Sequence, residues 1–218
     1  ITTNGTATPG VDYLPVVQVL NFAPGQTTTN ISISIINDQI VEPVETFDVV
    51  LTGPTGGALL GAITNATVSI TDDDMQFTFA LTNFTVLENA GTAVINVLRY
   101  GVTNSTGTVA YATSDSTAFS GVDYVGVTNT LTFLPGVTNT NFTITVIDNQ
   151  IVQLNRALNL RLFNATPTNN ASPGTNATAT LTIVDNDSTF SFSASAYNVN
   201  ESAGQLTVAV LQIGRAHV

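Results

Sequence analysis

The chain has 218 residues and a formal net charge of −11, from 15 Asp plus Glu against four Lys plus Arg. Charged residues make up 9 %, against roughly a quarter in ordinary globular proteins, while 43 % are hydrophobic, enough for packed cores. Such a balance excludes nucleic-acid binding and attraction to anionic membranes, and a chain with no Cys and one terminal His, His217, has no disulfides, thiolate or histidine metal sites, or Ser-His-Asp triad.

In chain order the pattern is nearly all strand. Ile31-Ser32-Ile33-Ser34-Ile35, Thr67-Val68-Ser69-Ile70, Phe142-Thr143-Ile144-Thr145-Val146, Leu181-Thr182-Ile183 and Leu206-Thr207-Val208-Ala209-Val210-Leu211 alternate apolar and small or polar residues. Period two with β-branched residues predicts half-buried antiparallel strands. Turn signals separate them at Ala23-Pro24-Gly25, Gly53-Pro54, Leu134-Pro135-Gly136 and Ser172-Pro173-Gly174. No stretch has a 3.6-residue period with helix caps, and no apolar run reaches the ~18 residues of a membrane span, so no membrane insertion is expected in this stretch.

The chain repeats itself. Gly10-Val11-Asp12-Tyr13 returns as Gly121-Val122-Asp123-Tyr124, and Asn37-Asp38-Gln39-Ile40-Val41 returns as Asp148-Asn149-Gln150-Ile151-Val152, both 111 residues later. Asp72-Asp73-Asp74 returns as Asp185-Asn186-Asp187, and Val86-Leu87-Glu88-Asn89-Ala90-Gly91 as Val199-Asn200-Glu201-Ser202-Ala203-Gly204, both 113 later. A unit of this size with about seven strands predicts tandem immunoglobulin-like antiparallel β-sandwiches, with under about a tenth of residues helical. The order of the markers predicts three parts: 1–74, a unit without its first strands; 75–187, a whole unit; and 188–218, the start of a third. The tail 213–218 breaks the alternation, and its reverse translation reads like a sequencing adapter, so an assembly artefact is expected there.

The acids are clustered. Asp38, Glu42 and Glu45 fall within eight residues, and Asp72, Asp73 and Asp74 end a later strand. Carboxylates gathered without cations repel, and oxygen-only ligands on flexible loops select Ca²⁺ over softer ions and over Mg²⁺. An acidic loop is also an ordinary solvated surface; recurrence of two such loops at the repeat period shifts the weight to metal. The paired Asp12-Tyr13 and Asp123-Tyr124 are read as structural, with the Tyr ring inward and its hydroxyl at the surface.

Four motifs, in order and repeated, resemble the Calx-beta repeat family: Gly5-Thr6-Ala7-Thr8-Pro9-Gly10-Val11-Asp12-Tyr13, Leu20-Asn21-Phe22-Ala23-Pro24-Gly25, Ile36-Asn37-Asp38-Gln39-Ile40-Val41-Glu42-Pro43-Val44-Glu45 and Ala66-Thr67-Val68-Ser69-Ile70-Thr71-Asp72-Asp73-Asp74. The resemblance implies calcium ligands at one end of each sandwich. For the first unit it implies Asp38, the Ile40 carbonyl, Glu42, Glu45, Asp72, Asp73 and Asp74, with Asn4 standing where an Asp is usual. For the second it implies Glu88, Asp115, Asp148, Asp185 and Asp187, but Gln153 and Arg156 replace the counterparts of Glu42 and Glu45. That second site is therefore read as weakened or lost, with Arg156 standing in for the metal through Asp185 or Asp187.

The resulting expectation is a non-enzymatic, calcium-binding repeat module, extracellular or on a bacterial cell surface. It stiffens a stalk or supports adhesion, with neighbouring repeats of the same chain as partners and any protein or glycan ligand undefined. The alternatives are a purely structural spacer or the non-catalytic repeat region of a large secreted enzyme.

Overall fold

A computed structural model describes residues 1–214. The strands run β1 (Thr2–Asn4), β2 (Glu45–Val50), β3 (Asn65–Ile70), β4 (Met75–Phe79), β5 (Asn83–Leu87), β6 (Thr92–Gly101), β7 (Gly107–Asp115), β8 (Thr128–Phe133), β9 (Asn139–Thr145), β10 (Arg156–Thr166), β11 (Ala171–Pro173), β12 (Thr178–Val184), β13 (Ser188–Phe192) and β14 (Val210–Gly214). The helical segments among the described residues are two three-residue 3₁₀ turns, Glu88–Ala90 and Glu201–Ala203.

Strands β4 to β12 build a two-layer sandwich. One layer has the order β11-β4-β6-β9 and the other β5-β12-β10-β7-β8. Period-two alternation aims Leu158, Leu160 and Leu162 of β10, and Ala93, Ile95 and Val97 of β6, into one shared core. Aromatic pairs bridge the layers: Phe77 of β4 lies 4.9 Å from Phe133 of β8, and Tyr111 of β7 stacks on Phe142 of β9 at 3.8 Å. Each such pair contributes about 0.5–1.5 kcal/mol beyond its buried area. Nine strands form where about seven are expected. The additional ones are short: β5 and β11 pair in parallel with β12 and β4, following the edges of the two layers.

Residues 1–74 form a single three-stranded sheet, β1-β2-β3. Its small core is Ala7, Tyr13 and Phe47, with the Tyr13 ring stacked on Phe47 at 4.1 Å. The strand expected at 31–35 forms no ladder; Ile35 makes only an isolated bridge to Tyr13. The matching segment of the sandwich, β9, is held by β6, and residues 1–74 contain no counterpart of β6. Likewise, among the described residues, β13 and β14 pair only with each other. In the segment expected over 206–211, the ladder starts at Val210 and runs through Ile213 and Gly214. Gly214 faces Ser188 as Gly101 faces Met75, so the register of the repeat holds to that point. Residues 215–218, which carry most of the expected artefact, lie outside the described residues.

The first sheet joins the sandwich end-on. The Asn37 amide donates to Asn169 O and Gln39 to Thr168 O, Ser172 Oγ donates to Gln39 O, and the Asn170 amide donates to Asp73 Oδ2. Gly101, at φ +78°, leaves room there for the Asp74 carbonyl and the Val41 side chain, both of which a Cβ would strike.

Candidate metal centre

The acidic loop and the end of β3 meet in a cleft of about 80 Å³ beside the junction. Seven carboxylates line it, from Asp12, Asp38, Glu42, Glu45, Asp72, Asp73 and Asp74, and among the described residues no basic one does. Register explains the gathering: Glu45, the first residue of β2, pairs with Ile70, the last of β3, so the loop acids and the Asp triplet leave the sheet at the same edge. One oxygen each from Asp12, Glu42 and Glu45 lies within 4.8 Å of the others. Two full negative charges at about 4 Å repel by about 4 kcal/mol at an effective dielectric of about 20, so such a trio needs protons or a cation between its members.

The protonation equilibria register this crowding. Glu42 is raised by burial and by repulsion from Asp12, Asp38 and Asp72. Glu45 is raised first by the hydrogen bond it shares with Asp12, then by burial and by the charges of Asp12 and Glu42. Asp74, almost fully buried, is pushed up to about 6 by burial and then by Asp72, Asp73 and Asp38, and its Oδ1 has no hydrogen-bond partner among the described residues. A carboxyl with a raised native pKa binds its proton more tightly folded than unfolded. The stability it contributes is present at low pH and is lost as pH climbs from about 4 through about 6. In calcium-free buffer the thermal midpoint is therefore expected to fall between about pH 5 and pH 7. A midpoint that rises across that interval in a melting series would contradict the cluster.

Of the residues expected in the first unit, all but Ile40 line the cleft. Ile40 is exposed, and its N–H donates to Asp38 Oδ1 at 2.7 Å. Asp73 lines the cleft while accepting from Asn170 across the junction. Asp12, read from sequence as structural, stands in the trio instead. Thr8 N–H donates to its Oδ2 at 2.6 Å, which turns the carboxylate toward Glu45, 33 residues away. Its recurrence beside a buried Tyr was the available signal. The Tyr part of that reading needs correcting too, because the Tyr13 and Tyr124 rings are buried but their hydroxyls are not free at the surface. Tyr124 donates to Asp115 Oδ1 at 2.6 Å, and Tyr13 donates to Asn4 Oδ1 at 3.3 Å.

The second unit divides its acids. Glu88, Asp185 and Asp187 come together, again within 4.8 Å. Among the described residues, Glu88 Oε2, Asp185 Oδ1 and Asp187 Oδ2 are buried without partners, while Asn149 donates to the other oxygen of Glu88. Burial raises the Glu88 pKa, against the Asn149 bond, and Asp187, Asp185 and Asp148 add to the rise. Asp148 thus reaches Glu88 through its charge. Asp115 stands apart from it, committed to Tyr124 and to the Ser120 N–H. Arg156 pairs with Asp123 at 3.2 Å, not with Asp185 or Asp187 as expected. The reason is register: Asp123 and Arg156 are the counterparts of Asp12 and Glu45, so the guanidinium faces the carboxylate that its predecessor faces in the first unit.

A β-sandwich flanked by partial copies of its own repeat, with a carboxylate-lined cleft at the end of a unit, defines the class: a repeat protein with acidic end-loop sites. The chain belongs to the Calx-beta domain family, whose model matches at 1–74, 72–187 and 185–217. It is 33 % identical over 147 residues to the sodium/calcium exchanger Calx of Drosophila melanogaster, covering 66 % of this chain and 15 % of the exchanger. It is 34 % identical over 179 residues to the mouse extracellular matrix organizing protein FRAS1, covering 77 % of this chain and 4 % of that protein. The solved apo-form Calx CBD1 domain superposes with a TM-score of 0.50 at 33 % identity, over 52 % of this chain and 99 % of that one. The calcium binding domain CBD12 of CALX1.1 gives the same score and identity over 62 % and 56 %. The chain spans well under a fifth of either curated relative. Both are animal proteins, and the expected bacterial source draws no support from them.

Proposed function

We propose that this chain is a non-catalytic calcium-binding module of a larger extracellular or surface protein, with its principal site in the first-unit cleft. The observation that carries the reading is the set of seven carboxylates around one small cleft without a basic neighbour among the described residues. The donor set fits a hard cation: it is all oxygen, it is loop-borne, and the buried Asp74 Oδ1 has no partner. Asp12, Asp38, Glu42, Glu45, Asp72, Asp73 and Asp74 would hold the ion, which would supply the positive charge that relieves their repulsion. The cleft lies where Asp73 and Gln39 bond to the second sandwich, so a bound ion would also brace the junction between repeats. Support for the calcium reading comes from the relatives named as exchangers and calcium binding domains, and support for the location from those of the extracellular matrix. Domain boundaries near 74 and 187 follow from the same repeat phase.

Titration calorimetry of the whole chain is the test. Calcium should bind with a dissociation constant of about 0.1–1 mM, the range of extracellular modules, and magnesium more weakly. Equal heats for the two ions, or none for calcium, would refute the proposal. A spacer role without a metal is favoured for the second unit's Asp123 half alone, where Arg156 already supplies the cation.

A further inference from the structure

Asn4 and Asp115 occupy the same repeat position, 111 residues apart, and each meets the tyrosine of its own unit. The Tyr124 hydroxyl donates to Asp115 Oδ1 at 2.6 Å, and the Ser120 N–H donates to the same oxygen at 2.9 Å. The first unit holds its tyrosine less firmly. Tyr13 donates to Asn4 Oδ1 at 3.3 Å, and the counterpart of Ser120 is Pro9, which has no N–H to give. That bond is the only side-chain tether of Asn4 among the described residues, and Asn4 is exposed. Its chain neighbour is Gly5, and Asn4-Gly5 is the one Asn-Gly step in the sequence. Packing demands glycine there, because a Cβ on Gly5 would sit 2.3 Å from the Thr46 carbonyl oxygen. An asparagine followed by glycine is the arrangement in which a backbone nitrogen most readily attacks a side-chain amide. No Cβ shields the nitrogen, and the two groups are already held within reach.

We propose that Asn4 is a site of self-deamidation, assisted by Tyr13, which turns the first unit's Asn–Tyr contact into the Asp–Tyr pair that the second unit encodes. The Gly5 nitrogen attacks Asn4 Cγ, the Cγ–Nδ2 bond breaks, and the Gly5 proton leaves with Nδ2 as ammonia. In the tetrahedral intermediate negative charge gathers on Oδ1, the atom that the Tyr13 hydroxyl faces, so this hydrogen bond strengthens as the barrier is climbed. Water then opens the succinimide ring. Attack at Cγ breaks its bond to the Gly5 nitrogen, restores the peptide and leaves an aspartate at position 4. Attack at the Asn4 main-chain carbonyl leaves isoaspartate in the backbone instead. Tyr13 polarises Cγ and not the main-chain carbonyl, so it steers the opening toward aspartate. The net change is water in and ammonia out, with no oxidation and one negative charge gained. The new carboxylate accepts from Tyr13 in a charge-assisted bond, shorter and roughly twice as strong as the neutral one it replaces. The Tyr13 ring stacks on Phe47 in the small core of the β1–β3 sheet, so the modification stiffens the unit that carries the acidic cleft. None of these steps needs a bound ion, and the proposal is independent of the cation reading.

The whole chain, freshly purified and then aged in chelator at mildly alkaline pH, is the material for the test. Peptide mass spectrometry should show a gain of about 1 Da building up on the Asn4-Gly5 peptide faster than at any other asparagine. Isoaspartate at that position, read by isoaspartyl methyltransferase labelling, should be the minor product. Tyr13→Phe keeps the ring on Phe47 and loses the donor; its gain should slow several-fold and its isoaspartate share should rise. The unmodified chain aged in urea, where the hydroxyl no longer faces Asn4, should show the same raised share without any substitution. Asn4→Asp should melt above the freshly purified unmodified chain, and ageing should move the unmodified chain toward it. An Asn4 that stays intact while other asparagines deamidate would overturn the proposal. So would an isoaspartate share that is the same folded and in urea, or an Asn4→Asp chain that melts no higher than the fresh one.

Discussion

Glu45→Arg is expected to abolish the calcium heat of the first-unit site and to raise the thermal midpoint of the calcium-free chain. The substitution copies what the second unit already does. Glu45 shares a hydrogen bond with Asp12 that raises its pKa, while Arg156 at the matching position forms an ion pair with Asp123. A guanidinium facing Asp12 replaces a repulsive pair with an attractive one and puts a fixed positive charge where the ion would sit. At calcium a hundredfold above its dissociation constant, the unmodified site would gain about 2.7 kcal/mol of stability, and this gain is what the variant forfeits. Paired melting curves with and without calcium measure both effects at once. A variant that keeps the full calcium response would show that Glu45 is not part of the site.

How far the sequence reveals this site depends on how local each feature is. The strands of the middle sandwich follow from alternation, and the two acidic loops follow from recurrence, because both signals lie within a few consecutive residues. Asp12 was hidden because its neighbours in the cleft are Glu42 and Glu45, brought near by the register of β2 on β3 and by the turn that ties Thr8 to Asp12. The partner of Arg156 was misassigned for the same reason: Asp123 and Asp185 are both acids at the right end of the sandwich, and only the fold decides which one the guanidinium reaches. The segment 31–35 shows the converse limit. Its alternation is as regular as that of β9, yet a strand forms only where a neighbour supplies the ladder, and β6 has no counterpart in residues 1–74. Asp115 matches a ligand position by motif but serves the Tyr124 hydroxyl, a hydrogen bond between strand β7 and a turn that spacing alone does not reveal.

Arg156→Glu is expected to destabilise the second sandwich without calcium and to make its stability depend on the ion. Asp123 is 3 % exposed, and its Oδ2 accepts from both Arg156 and the Phe119 N–H. Removing one partner of a buried ion pair costs about 3–5 kcal/mol because the other charge is left uncompensated. Arg156 itself is 32 % exposed, so the lower end of that range, about 3 kcal/mol, is expected before any new repulsion is added. The variant then carries two facing carboxylates, as Asp12 and Glu45 do in the first unit, beside the trio of Glu88, Asp185 and Asp187 with its unpartnered buried oxygens. Calcium should recover most of the lost stability, and Arg156→Gln, which removes the cation without adding an anion, should be recovered less. Thermal unfolding of the three chains across a calcium series separates the outcomes. If Arg156→Glu melts with the unmodified chain in chelator, the Asp123 pair is not holding that end of the sandwich together. If calcium restores Arg156→Gln as fully as Arg156→Glu, the position of Arg156 is not a cation position at all.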